Sequence, residues 1–230
     1  MSQKYSILLF DADDTLFDYK KAELAALHNT FKKFHLPLDD DILALYKQIN
    51  QQLWDAFEKG EVTKEKLKLQ RFAQLFEALQ IFCDVESFSN AYLTELGKGT
   101  YLLDNAYKVC EYLAAKYHLA IVSNGIHNVQ TARFEASEIK PFFNELFTSE
   151  AIGYQKPEKE FFSTVFKKMN ITESMKKEVL LIGDSLSADI KGGMNIGIDT
   201  CWFNINNEYN TLPLAPTYEI KQLSDLQKIL

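Results

Sequence analysis

Cysteine is scarce in this 230-residue chain: Cys83, Cys110 and Cys201 are odd in number, far apart and free of any CxxC spacing. That excludes a disulfide framework and a zinc-binding cysteine pattern, and it fits buried thiols in a reducing compartment. Long hydrophobic runs are missing too, since none approaches the roughly 18 residues that suggest a membrane span. The opening MSQKYSILLFDADD does not read as a signal peptide, because its apolar run is short and ends in acid. A cytoplasmic location is the expectation. Positive charge is in deficit: 25 Lys and Arg against 32 Asp and Glu leave a net charge of −7. This balance argues against a nucleic acid polymer as partner and offers no footprint for an anionic membrane. No Gly/Ser/Pro linker, low-complexity tract or internal repeat interrupts the chain.

What remains is ordinary globular composition, 47% hydrophobic and 25% charged, at a length that supports one core with an appended subdomain. Ile7 to Phe10 read as a buried strand. From about residue 18 to about 97 no strand is evident, only four amphipathic helical patterns. They cover about 19–34, about 40–59 with Asp39 or Asp40 as cap, a stretch from a Thr63 cap through Leu79, and about 85–96. Gly60 breaks the second. Helices are then expected at about 105–116, 128–137, 159–169 and 188–196. They alternate with strands at 118–123, 145–148, 178–182 and 199–203, before a strand at 217–220 and a helix capped by Ser224.

Such alternation implies right-handed crossovers and a parallel sheet covered on both faces. The uninterrupted apolar runs LAIV and VLLI suit its central strands. The expected fold is α/β, a Rossmann-like doubly wound core of residues 1–17 and 98–230 carrying an inserted all-helical, four-helix subdomain at 18–97. The insert leaves from the carboxyl end of the first strand, where open α/β sheets bind ligands, so its helices are placed to cover a site there.

LLFDADDTLFD, residues 8–18, drives a strand into the core and then sets Asp11, Asp13 and Asp14 at its end. Dehydrating such carboxylates costs several kcal/mol or so per ion unless a cation compensates. Three other features follow expected strand ends: Ser123-Asn124-Gly125, Lys156-Pro157, and Gly183-Asp184-Ser185 with Asp189. A parallel sheet brings all of them to one edge. Asp11 and Asp184 offer hard oxygen ligands for Mg²⁺, Lys156 a fixed positive charge, and Ser123 with nearby N–H groups the donors. Together they would hold a phosphoryl group in line with a carboxylate nucleophile. Asp14 reads as structural or solvated, and His28, His35, His118 and His127 have no metal-binding spacing.

DADDTL, from Asp11 to Leu16, resembles the DxDx[TV][LV] signature of the haloacid dehalogenase-like (HAD) superfamily of phosphohydrolases. Ser123-Asn124, Lys156-Pro157 and GDSLSAD (Gly183 to Asp189) match its later motifs in order. The resemblance implies that the helical insert is a C1-type cap. It also implies that Asp11 is the nucleophile that becomes aspartyl-phosphate, and that Asp13 is the acid and base. Mg²⁺ would then be held by the Asp11 carboxylate, the Asp13 backbone carbonyl and Asp184, with Asp189 in support. Ser123, Asn124 and Lys156 would bind phosphate, with Lys156 also balancing the clustered charge. Dehalogenases of the superfamily lack the second aspartate, so Asp13 points to phosphoryl chemistry.

Within the superfamily, Asn50 to Phe72 resembles the noncanonical pyrimidine 5′-nucleotidases of the YjjG/YfnB type. So do Ser123-Asn124-Gly125 with Gln130 and Arg133, Cys201-Trp202, and Ala215-Pro216-Thr217-Tyr218. The implied substrates are small nucleoside monophosphates such as UMP, dUMP and dTMP. A flat base needs an apolar face and a few polar groups, for which Trp54 and Arg71 are the cap candidates. A sugar-phosphate phosphatase, a phosphomutase and an inactive phosphate-binding module stand as alternatives, and the protein is expected as a monomer or homodimer. A phosphotransfer receiver module fits poorly, being much shorter and without a cap.

Overall fold

The computed structural model describes residues 4–210 and 212–230. It divides into two compact units, Met1–Lys20 with Thr100–Leu230, and Lys21–Gly99. The first division falls within the helix Tyr19–Lys33 and the second after Gly99.

After β1 (Ile7–Phe10) come four helices, α1 (Tyr19–Lys33), α2 (Asp40–Glu58), α3 (Lys64–Leu79) and α4 (Val85–Leu96). The chain continues through α5 (Ala106–Ala114), β2 (His118–Ser123), α6 (His127–Ala136), β3 (Glu145–Thr148), α7 (Ser149–Ile152) and α8 (Lys159–Lys168). It ends with β4 (Val179–Gly183), α9 (Lys191–Ile196), β5 (Asp199–Phe203), β6 (Tyr218–Ile220) and α10 (Leu226–Ile229). Among the described residues, no helix is long and apolar enough to cross a membrane.

In the helical unit, local chemistry sets the helix ends. Asp39 rather than Asp40 caps α2, accepting from the Ile42 N–H at 2.9 Å. Gly60 follows that helix at φ +75, a conformation glycine adopts without penalty. Thr63 and Asp84 cap α3 and α4. The interior is aromatic: the Phe72 ring stacks on Tyr46 at 5.6 Å and meets Phe88 and Tyr92 edge-on at 4.9 and 5.0 Å. The Tyr46 and Tyr92 hydroxyls, buried with these rings, satisfy each other at 3.0 Å.

The other unit is built on a six-stranded sheet ordered β3-β2-β1-β4-β5-β6, parallel throughout. The order reverses beside β1, which makes the carboxyl ends of β1 and β4 the switch point where α/β sheets bind ligands. Side-chain alternation divides the central strands β1, β2 and β4 between two cores. Leu8, Phe10, Ile121 and Ile182 pack with Val109 and Leu113 of α5. Leu9, Val122 and Leu181 pack with Phe161 and Val165 of α8. Phe10 lies level with Ile121 and Ile182, so Asp11, Val122 and Gly183 follow together at the sheet edge.

Two differences from the sequence reading matter. The helix expected at 188–196 begins instead as a π-helical turn, Leu186–Ile190, and only then becomes α9. The N–H groups of Asp189 and Ile190 both donate to the Ser185 carbonyl, at 2.9 and 3.1 Å, which widens the turn. The short α7, the single helical turn at Lys140–Phe142 and the six-residue helical stretch at Glu173–Glu178 have too few residues to carry a periodic signal.

Gly193 of α9 marks a close approach of that helix to the sheet. A Cβ there would run into the Thr200 side chain and come within 3.4 Å of Ile198 and 3.5 Å of Leu181. Helix propensity alone favours alanine over glycine by up to about 1 kcal/mol. Overpacking costs about 1–3 kcal/mol, so Gly193→Ala is expected to lower stability to urea. An unchanged or higher midpoint would contradict this packing.

Candidate active site

Asp11 follows β1 directly, and its N–H donates to the Ile182 carbonyl of β4 at 2.8 Å, so sheet pairing continues into the first acidic residue. Its carboxylate meets the ammonium of Lys156, which is almost fully buried. That ammonium spends its three N–H groups on Asp11 Oδ1 at 2.5 Å, Asp189 Oδ1 at 2.6 Å and the Val122 carbonyl at 2.8 Å. Lys156 is itself held from behind. The Asn124 side chain accepts from the Lys156 N–H and donates to the Lys156 carbonyl, both at 2.9 Å. Asn124, expected beside the phosphate, thus has its side-chain amide committed to the lysine's backbone.

Asp184 and Asp189 arrive from the end of β4. Asp184 is anchored on two sides: its N–H donates to Thr15 Oγ1 at 3.1 Å, and its carbonyl accepts from the Trp202 indole at 2.9 Å. The Thr15 hydroxyl also donates to Asp184 Oδ1 at 3.3 Å. Asp189, wholly buried, accepts from the Ser185 N–H at 3.2 Å. The space its carboxylate occupies is one a Cβ on Gly183 would fill. The glycine there is required by this close approach. Ser123 ends β2, and its hydroxyl accepts from the Gly125 N–H at 2.9 Å.

Carboxylate oxygens of Asp11, Asp184 and Asp189 all lie within 4.8 Å of one another. One ammonium faces two of these three carboxylates. Burial, reinforced by Asp11 and Asp189, pushes the Asp184 carboxyl well above the ordinary carboxylate range. Asp11 is pushed up to about 7 by burial, against the pull of Lys156. Burial alone would lower Lys156, but Asp11 and Asp189 outweigh it and hold the ammonium protonated. A set of hard, crowded oxygens short of positive charge fits an octahedral divalent cation such as Mg²⁺.

Asp13 stands apart from that trio. Its carboxylate accepts from the Arg133 guanidinium at Oδ1 and from the Gln130 amide at Oδ2, the latter at 2.5 Å. Asp14 takes the left-handed conformation, φ 54, and burial next to Asp13 pushes its carboxyl up to about 6. Of the two readings open for it, structural or solvated, this partly enclosed position favours the structural one.

The two cap candidates belong to the helical unit. Trp54, half-buried on α2, meets the Phe57 ring edge-on at 5.6 Å. Arg71 is fully buried, its guanidinium 4.6 Å from the Tyr92 ring centre and 5.2 Å from that of Phe72. Sequence reasoning gave no role to Thr15, Trp202, Gln130 or Arg133. Each lies in a quoted motif stretch, but nothing in a linear pattern says which of them reaches an aspartate.

A doubly wound sheet with this acidic edge defines a hydrolase of the haloacid dehalogenase-like family. The model of that family matches residues 8–203, and the chain belongs to it. Among relatives, the putative HAD-hydrolase YfnB of Bacillus subtilis is 41% identical over 228 residues, covering 99% of this chain and 96% of YfnB. The pyrimidine 5′-nucleotidase PynA of Streptococcus pneumoniae is 34% identical over 223 residues, covering 96% and 93%. A crystal structure of Bacillus subtilis YfnB bound to magnesium matches with a TM-score of 0.92 at 40% identity over 99% of both chains.

The raised carboxyl of Asp11 has a consequence for stability. Between the ordinary value of 3.8 and about 7, the folded protein keeps a proton on Asp11 that the unfolded chain has released. Stability contributed by this group is therefore lost as pH rises through that window and levels off above it. In EDTA, the urea stability of the wild type relative to Asp11→Asn is expected to fall across the window. A difference that rises with pH would contradict the burial argument.

Proposed function

We propose that the chain is a Mg²⁺-dependent phosphatase that hydrolyses phosphate monoesters through an aspartyl-phosphate on Asp11. Its substrates are pyrimidine nucleoside 5′-monophosphates such as UMP, dUMP and dTMP. The convergence of Lys156, Asp11, Asp184 and Asp189 carries the chemical part of this reading. The relative named as a pyrimidine 5′-nucleotidase, similar along nearly the whole chain, supports the substrate part.

In this mechanism the Asp11 carboxylate attacks phosphorus while the ester P–O bond breaks and Asp13 gives its proton to the departing oxygen. Water then attacks phosphorus, giving a proton back to the Asp13 carboxylate. The Asp11–phosphorus bond breaks, and inorganic phosphate leaves. Lys156 favours the ionised form of Asp11 against the effect of burial and aims its carboxylate. Ser123, with main-chain N–H groups of its turn, binds the phosphoryl oxygens, while the Asn124 side chain serves by fixing Lys156. The Asp11 and Asp184 carboxylates and the Asp13 carbonyl would hold Mg²⁺, with Asp189 in support. When bound, the ion neutralises charge on these carboxylates and on the phosphoryl group. We read the helical unit as a C1-type cap. Trp54, the more exposed of the two cap candidates, is the proposed base-stacking residue, whereas Arg71, buried against Tyr92 and Phe72, serves the packing of the helical unit.

Asp11→Asn is expected to abolish Mg²⁺-dependent phosphate release from p-nitrophenyl phosphate, and EDTA to do so reversibly. Saturating Mg²⁺ should raise the wild-type Tm through linkage, and this shift should shrink in Asp184→Asn. Retained turnover in Asp11→Asn would refute the nucleophile assignment.

The substrate is tested by phosphate release across nucleoside monophosphates and sugar phosphates. The highest kcat/KM is expected on pyrimidine nucleotides, with KM raised in Trp54→Ala. Higher kcat/KM on hexose phosphates would overturn the nucleotidase reading and leave the mechanism intact. An unchanged KM would remove Trp54 from recognition.

A further inference from the structure

Asp13 keeps its side chain 26% exposed, against 11% for Asp11 and 1% for Asp189, yet both its oxygens are engaged. The donors come from one helix. Gln130 and Arg133 stand three residues apart on α6, a spacing that sets both side chains on one face. Gln130 is almost fully buried, and Arg133 is completely so. The guanidinium lies 4.6 Å from the centre of the Phe17 ring, a buried platform that fixes the plane of its fork. Gln130 reaches Asp13 past Gly125, where any Cβ would collide with its amide. The glycine of the Ser123-Asn124-Gly125 turn is thus an opening through which the amide passes.

We infer that Gln130 and Arg133 are positioning residues that fix the Asp13 carboxylate for proton transfer. The inference rests on the reading of Asp13 as the acid and base. A carboxylate on two rotatable bonds samples several directions, and proton transfer needs one of them. Two donors on a rigid helix, one for each oxygen, select that direction. The two hydrogen bonds described use one acceptor position on each oxygen. A carboxylate has about four such positions, so room is left for the transferred proton. A buried arginine on an aromatic ring is a costly way to hold a surface carboxylate unless that carboxylate's orientation matters.

Leaving-group dependence provides the test, because p-nitrophenolate departs with little need of a proton whereas phenolate and alkoxides need one. The value of kcat/KM covers the steps through departure of the leaving group. We therefore compare kcat/KM on phenyl phosphate with that on p-nitrophenyl phosphate, both with Mg²⁺. Each ratio comes from one preparation, so a partly unfolded variant does not disturb it. Asp13→Asn should lose far more on phenyl phosphate. Gln130→Met keeps length but loses the donor, and Arg133→Lys keeps charge but loses the fork. Both should lose an extra factor of about ten or more on phenyl phosphate, part of the roughly 10²–10⁴-fold that a placed acid contributes. Equal losses on the two esters in both variants, with Asp13→Asn still selective, would overturn the inference and leave the role of Asp13 standing. A non-selective Asp13→Asn would sink the acid–base reading and the inference with it.

Discussion

The Lys156 ammonium is the hub of the molecule's chemistry. It sits almost fully buried, within 2.6 Å of carboxylates supplied by the end of β1 and by the turn after β4, and it bonds a carbonyl of β2. Removing an ammonium and two carboxylates from water costs several kcal/mol per ion, and only close, fully hydrogen-bonded pairing offsets that. Three stretches of chain must therefore arrive together before any of them is tolerable in the interior. The sheet order meets this condition by placing β1 between β2 and β4. The Asn124 clasp on the Lys156 backbone then fixes the fourth stretch against the end of β2.

Asp11 and Asp13, two residues apart, sit in opposite environments. Asp11 is enclosed with other acids and a lysine, and burial raises its carboxyl. Asp13 turns toward the α6 donors and keeps part of its surface in solvent. A nucleophile has to be charged, aimed and shielded from water. A proton carrier has to reach the leaving oxygen and later a water molecule. In the proposed mechanism the turn after β1 divides these duties between Asp11 and Asp13. Ala12 accepts backbone bonds from Leu16 and Phe17, which closes the loop and sends successive acidic side chains in different directions. Phe17, from the same loop, becomes the surface on which Arg133 rests.

Much of the fold was legible from the chain alone because its signals are local. The apolar runs LAIV and VLLI, the Thr63 cap and the Gly60 break each state a preference within a few residues, and the structure keeps them. The acidic motif after β1, the Lys-Pro pair and the GDSLSAD stretch were equally visible, since parallel strands send their ends to one edge. What local signals could not carry was the π-helical turn at Leu186–Ile190. It arises because Ser185 captures two N–H groups and Asp189 must reach back past Gly183 to the lysine.

The sequence by itself determined the principal helices and strands, the parallel α/β plan with its helical insert, and the residue kinds gathered at the carboxyl edge. Periodicity, capping and strand-end chemistry depend on near neighbours, so a linear reading recovers them. Only the tertiary structure decided which partner each polar or charged group found. Asn124 went to the Lys156 backbone, Trp202 to the Asp184 carbonyl, Arg133 to Asp13 and Arg71 to an aromatic core. Those choices depend on distances between residues far apart in the chain, which exist only once the sheet has set them.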